Sequence, residues 1–143
     1  MEPMPAGYSG TPLVTKLSVV AGQRLIVIDE PSEFRRLLEP LPHGVRISTS
    51  LRGKAAVVVL FVLARSALER RIGAAERAIF PDGACWVAWP KRASGIATDM
   101  TEDVVREVCL PRGLVDNKVC AIDNTWSGLR VVWRRERRTT LPT

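Results

Sequence analysis

The chain has 143 residues, 46% hydrophobic and 25% charged, with a formal charge of +6. A chain of this size buries a continuous core without disulfide or metal staples, and its basic balance permits acidic partners without requiring them. Cys85, Cys109 and Cys120 are odd in number and far apart, and His43 is the only histidine. This excludes a disulfide framework, a zinc knuckle and a His/Cys metal centre, and leaves the three cysteines as buried free thiols.

Residues 1–16 open with MEPMPAGYSGTP, rich in Pro and Gly, and read as an extended arm carrying Tyr8. Met1 to Gly10 lacks the apolar core of a secretory leader, and the longest apolar run, Ala55 to Ala64, is too short to span a membrane. A cytoplasmic location is therefore expected. A single domain is expected over residues 17–135, followed by a flexible basic tail, 136–143.

Arg24 to Asp29 predicts a first buried strand. A helix follows, with Phe34, Leu37, Leu38 and Leu41 at helical spacing; Pro31 suits its first turn, and Pro40 and Pro42 close it. Val45 to Thr49 predicts a short second strand. Ala55 to Leu63 is apolar without alternation, as in a central parallel strand covered on both faces. Gly53 lies too near Thr49 for a helical crossover, so this strand is expected to pair elsewhere than beside its predecessor.

Ser66 to Glu69 reads as a capping box, opening a helix that buries Leu68, Ile72, Ala75 and Ile79. The turn Pro81-Asp82-Gly83 leads to a buried strand, Ala84 to Trp89, and then to the polar loop PKRASGIA. A capping box at Asp99 to Glu102 opens a further helix. Leu114 to Asp123 and Leu129 to Trp133 form a closing hairpin with Trp126 in its loop. The order predicts a three-layer α/β domain with a mostly parallel sheet and a C-terminal antiparallel hairpin.

The succession Val57–Val62, helix, Pro81-Asp82-Gly83, Ala84–Trp89, Thr101–Cys109 and Leu114–Trp133 resembles the later part of a class I methyltransferase fold. Over about residues 6–135 the chain also resembles a bacterial family of small proteins, DUF3052. The matching motifs are GYSGTPL, LFV, PDGACWVAWPKRASGIATDMTEDVVRE, GLVDNKVCAID and TWSGLR. The first resemblance implies a Rossmann-like architecture. The second supports that fold and implies no activity.

A nucleotide site in such a fold needs close backbone approach after the first strand, hence glycines, and an acid after the second strand for the ribose. Here Asp29, Glu30, Pro31 and Ser32 follow the first strand, with Glu33 close behind, and Ser50 and Leu51 follow the second. Carboxylates repel a pyrophosphate, and proline removes an amide donor. The positive sulfur of S-adenosylmethionine is not excluded by acids, but bulk at the turn argues against it. The expectation is a methyltransferase-like domain without the Gly-rich loop and with no cofactor; the acids at the turn read as a helix start.

Other polar residues should gather at the carboxyl edge of the sheet. Lys91, Arg92 and Ser94 would hold an anion, and Lys91 with Asp99 or Asp123 would be the pair for proton transfer. Asp29, Ser32, Trp126 and Tyr8 complete the candidate ligand residues, with Tyr8 covering a pocket from the arm. No nucleophile elbow accompanies His43. The reading these features favour is a noncatalytic binding or protein-interaction module. A small-ligand binder or enzyme with an atypical site, for a degenerate adenosylmethionine or an anionic metabolite, is the alternative. A nonspecific nucleic-acid accessory protein acting through Arg134 to Arg138 is the third reading. A homodimer through an exposed edge at Val131 to Trp133 is compatible with all three.

Overall fold

The computed structural model describes residues 11–139. Its strands are β1 (Arg24–Ile28), β2 (Arg46–Ser48), β3 (Val57–Phe61), β4 (Ala84–Pro90), β5 (Leu114–Ala121) and β6 (Trp126–Trp133). They form one sheet in the order β2-β1-β3-β4-β6-β5. The pairs among β1, β2, β3 and β4 are parallel, and β6 runs antiparallel to both β4 and β5. This is the Rossmann-like sheet with antiparallel closing strands that the residue pattern predicts. β3 pairs with β1 and not with β2, as the short connection at Gly53 requires.

The two faces are covered unequally. On one, α3 (Arg65–Ile79) and α4 (Glu102–Cys109) bury Leu68, Ile72, Ile79, Val105 and Val108 against Ile26, Val58, Leu60, Val87 and Val131. On the other, α1 (Leu13–Lys16) and α2 (Phe34–Leu37) bring Leu13, Val14, Leu17, Phe34 and Leu38 onto Leu25, Val27, Val59 and Trp86. Residues of β1, β3 and β4 thus enter a core on either face, which is why these strands are apolar without alternation.

Several local expectations change. Leu13–Lys16, assigned to the arm, is helical, and Leu13 and Val14 enter the core. α2 has only four residues, because the chain is bracketed by Pro31 and Pro40; Leu37 and Leu41 are each left 37% exposed. The first turn of α3 has no cap from Ser66. Instead the Asp99 carboxylate accepts the Arg65 N–H at 2.7 Å from a different loop. The Thr101 hydroxyl caps α4 by accepting the Val104 N–H. Trp126 begins β6 and is not a loop residue.

The last four carbonyls of α3 all find donors: Trp133 Nε1 for Glu76, Lys54 Nζ for Arg77, the Ala55 N–H for Ala78 and the Gly83 N–H for Ile79. Gly83 must be glycine for this, since a Cβ there would lie 2.9 Å from the carbonyl oxygens of Ala55 and Ala56.

β6 lies between β4 and β5, so Val131 to Trp133 is not a free edge, and a dimer through it has no exposed strand there to use. The tail, as far as residue 139, folds back. The Arg134 N–H donates to the Gly113 carbonyl, and Arg138 Nε to the Trp133 carbonyl, each at 3.0 Å. Cys85, Cys109 and Cys120 are free and buried. Among the described residues no helix is long and apolar enough to cross a membrane, and no His/Cys/Asp/Glu cluster could hold a metal ion.

Candidate functional site

From β1 the chain runs first to β2 on one side and then to β3 on the other. The loops leaving β1 and β3 therefore diverge, and open sheets bind ligands in the crevice created at such a point. A cleft of about 470 Å³ opens there. Asp29 and Pro31 wall it after β1, the segment Phe61 to Ala64 after β3, and Ala67 from α3, with Ile96 and Trp126 closing the far side. The Phe61 ring meets Phe34 edge-on at 4.8 Å and Trp126 at 5.1 Å between centroids, which fixes the aromatic wall.

The turn after β1 does not fill this space. Asp29 has φ +59°, the left-handed conformation that glycine usually supplies and that a short polar side chain tolerates. Its carboxylate lies 2.8 Å from Arg71 on α3, Glu30 lies 2.8 Å from Arg35, and Glu33 lies 3.1 Å from Arg36. The acids are thus offset by arginines, and Asp29 and Pro31 line the cleft where the sequence suggested crowding. Ser32 is exposed and does not line it. After β2, the Ser48 hydroxyl accepts from Arg24 and from the Ser50 N–H, and no acid stands there.

The Lys91 ammonium pairs with neither of the carboxylates expected to exchange a proton with it. Lys91 Nζ donates to the backbone carbonyl of Asp123 at 2.8 Å. The Asp123 carboxylate accepts the N–H groups of Thr125 and Trp126 at 2.8 and 2.7 Å, which turns the chain into β6. Asp99 caps α3. Lys91 forms an ion pair with neither carboxylate among the described residues. The Ser94 hydroxyl donates to the Lys91 carbonyl and accepts the Ile96 N–H, so it shapes its own loop.

Arg92 is exposed and lines a second cleft of about 500 Å³, with Trp89, Thr98, Asp99, Met100 and Glu102 among its walls. Ile96 borders both clefts and separates them. Tyr8 lies outside the described residues. The site therefore unites Asp29 and Trp126 but not Ser32, Ser94 or Lys91. Sequence reasoning missed Phe61, Leu63, Ala67 and Ile96. Phe61 was legible only as the end of an apolar strand. Leu63 and Ile96, 49% and 41% exposed, stand out once their place beyond the strand ends is known.

No family model matches the chain, and no curated protein matches it in sequence, so the DUF3052 likeness rests on its motifs alone. Solved structures do match in shape. An O-methyltransferase from neocarzinostatin biosynthesis, in complex with S-adenosylmethionine and 2-hydroxy-5-methyl naphthoic acid, superposes with a TM-score of 0.58 at 13% identity, over 90% of this chain and 51% of that one. A putative type 11 methyltransferase from Sulfolobus solfataricus gives 0.55 at 11% identity, over 85% and 89%. The magnesium protoporphyrin IX methyltransferase from Synechocystis PCC 6803 with bound SAH gives 0.54 at 10% identity, over 85% and 78%.

These neighbours correct the expectation of no cofactor. Two of them hold S-adenosylmethionine or SAH, so a fold of this shape is compatible with such a ligand. The chain has a methyltransferase-like α/β fold, its sheet mostly parallel with antiparallel closing strands.

Proposed function

We propose that this domain binds an adenosylmethionine-type nucleoside in the cleft between the carboxyl ends of β1 and β3. The observation that carries the reading is the cleft itself: about 470 Å³, at the switch point of the sheet, with the turn after β1 as a wall. The residues present fit such a group. Phe61 and Trp126 offer an apolar aromatic side for a flat base, with Ala67 and Ile96 excluding water. Asp29 at the rim suits a cationic or hydroxyl-bearing part of the ligand. The acids and Pro31 disfavour a dinucleotide, whose phosphates need amide donors and no nearby carboxylates.

Bound adenosylmethionine supplies an electrophilic methyl group. The chain's own residues bind and orient it. Lys91, Asp99 and Asp123 are each committed to hydrogen bonds that hold loops and a helix end, which favours a binding module over a proton-transferring enzyme.

The experiment is a calorimetric titration with S-adenosylmethionine and with its demethylated product, with NAD as the counter-ligand. Saturable binding of either of the first two is expected. Ala67→Trp, which fills the cleft, should abolish it while circular dichroism stays native, and Asp29→Asn should weaken it about tenfold, ~1.4 kcal/mol. Heat-silent titrations repeated as thermal shifts, with no saturable change for either ligand, would overturn the reading.

A further inference from the structure

The outer side of the β5–β6 hairpin, on the face that α1 and α2 cover only in part, collects positive charge. Lys118 and Arg130 are register partners on β5 and β6. Strand alternation places them on the same side as Cys120 and Gly128, whose Cβ position faces Trp86 and Ile122 of the thinner core. Lys118 Nζ reaches the Lys16 carbonyl at 3.5 Å, and Lys16 Nζ donates to the Ala121 carbonyl at 3.0 Å, so α1 delivers a third cation to the same seam. The folded-back tail adds Arg138, held on the Trp133 carbonyl.

None of these four cations takes part in any of the nine ion pairs among the described residues, whereas the pairs on α3 and α4 engage Arg65, Arg71, Arg106 and Arg112. Arg130 is the sharpest case. Its Nη1 meets the Asn117 side-chain oxygen at 3.1 Å, but its Nε is buried with no hydrogen-bond partner. Burial, and then the charge of Arg138, push the Arg130 guanidinium below its ordinary pKa. A half-buried cation beside a like charge is costly, and an arriving anion offsets that cost.

We infer that the face carrying Lys16, Lys118, Arg130 and Arg138 binds the phosphodiester backbone of a nucleic acid. A polyanion needs only spaced positive charges, and adjacent strands set Lys118 and Arg130 roughly 5 Å apart at the backbone. A protein partner would need an apolar anchor. The aromatic rings beneath and beside this face, Trp86 and Trp133, are 0% and 3% exposed, and exposed Val119 pairs with Leu129 of the opposite core. Neither of these two rings is open for base stacking beside the four cations, so recognition there is independent of sequence. This face is separate from the cleft at β1 and β3, and the inference does not depend on what that cleft holds.

Fluorescence anisotropy tests it with the full chain and labelled single-stranded RNA, single-stranded DNA and duplex DNA of about 20 nucleotides, over a salt series. Saturable binding at low salt that weakens steeply as salt rises is expected for at least one of them. The double variant Lys118→Glu, Arg138→Glu should bind at least about tenfold more weakly, with the log–log salt slope reduced by about two, while Arg92→Glu on the second cleft leaves both unchanged. Melting curves check that the variants fold; if the double variant does not, Lys16→Gln with Lys118→Gln replaces it. Absence of binding at low salt, equal loss in Arg92→Glu, or equal competition by polyglutamate would overturn the inference.

Discussion

The two faces of the sheet are built to different standards. One is packed by a fifteen-residue helix, α3, with α4 beside it; the other by two helices of four residues each. On the first face the α3 carbonyls are all met, and Glu76, 8% exposed, takes two hydrogen bonds from Arg112. On the second, cover stops short of β5 and β6, and lysine and arginine stems stand where a helix would. The contrast teaches that stability and recognition need not share a surface. The closely packed face fixes the sheet, while the thin face and the strand ends stay open to other molecules.

The largest expected effect tests the packing difference directly. Ile72→Ala on α3 should cost about 2–5 kcal/mol in urea unfolding, and Leu13→Ala on α1 roughly half as much, since Leu13 lies at the rim of its core. Equal losses would erase the distinction. Next come the two indole hydrogen bonds that tie each face to the sheet. Trp133→Phe strands the Glu76 carbonyl and Trp86→Phe the Leu17 carbonyl, each for about 1–3 kcal/mol. Hydrogen exchange should show the first loosening the end of α3 and the second releasing α1 alone.

The effect smallest at neutral pH is a pH dependence. Burial, then the Glu76 charge, pushes the Cys109 thiol from 9.0 up to about 12. The folded protein therefore keeps a proton that the unfolded chain gives up. Its contribution is fully present below pH 9 and is lost as pH rises toward 12. Cys109→Ala should flatten that part of the curve. Burial raises the Cys85 thiol well above its ordinary value; it raises Cys120 too, but there Lys16, Lys118 and Lys91 oppose it. A disulfide reagent followed by mass spectrometry should label Cys120 first; labelling of Cys85 first would contradict the difference between the faces.

The strands were legible because burial on two faces writes itself as an unbroken apolar run, as in Val57–Phe61 and Ala84–Trp89. Register and strand order were not, since nothing local to Leu129–Trp133 says that the strand will slip between β4 and β5. Helix ends were misread for a related reason. Ser66 has the right neighbours for a cap, but Asp99, distant in the sequence, gets there first. At the site, the sequence displayed the acids at Asp29 and Glu30 but not the arginines that offset them, because Arg71 is brought to Asp29 only by packing α3 on the sheet. Lys91 and Asp123 did come together, but through a backbone oxygen, which residue types alone do not reveal.

Placing the last strand in the middle of the sheet sets an order of events during synthesis. β5 has hydrogen-bonded partners only on β6, and β4 keeps an open side until β6 arrives. As the chain leaves the ribosome, the parallel half can pair as soon as residue 90 is free, but β5 waits for β6. A message cut short before residue 126 would thus yield a product in which β4 keeps an open edge and β5 has no partner, ready to associate with any strand it meets.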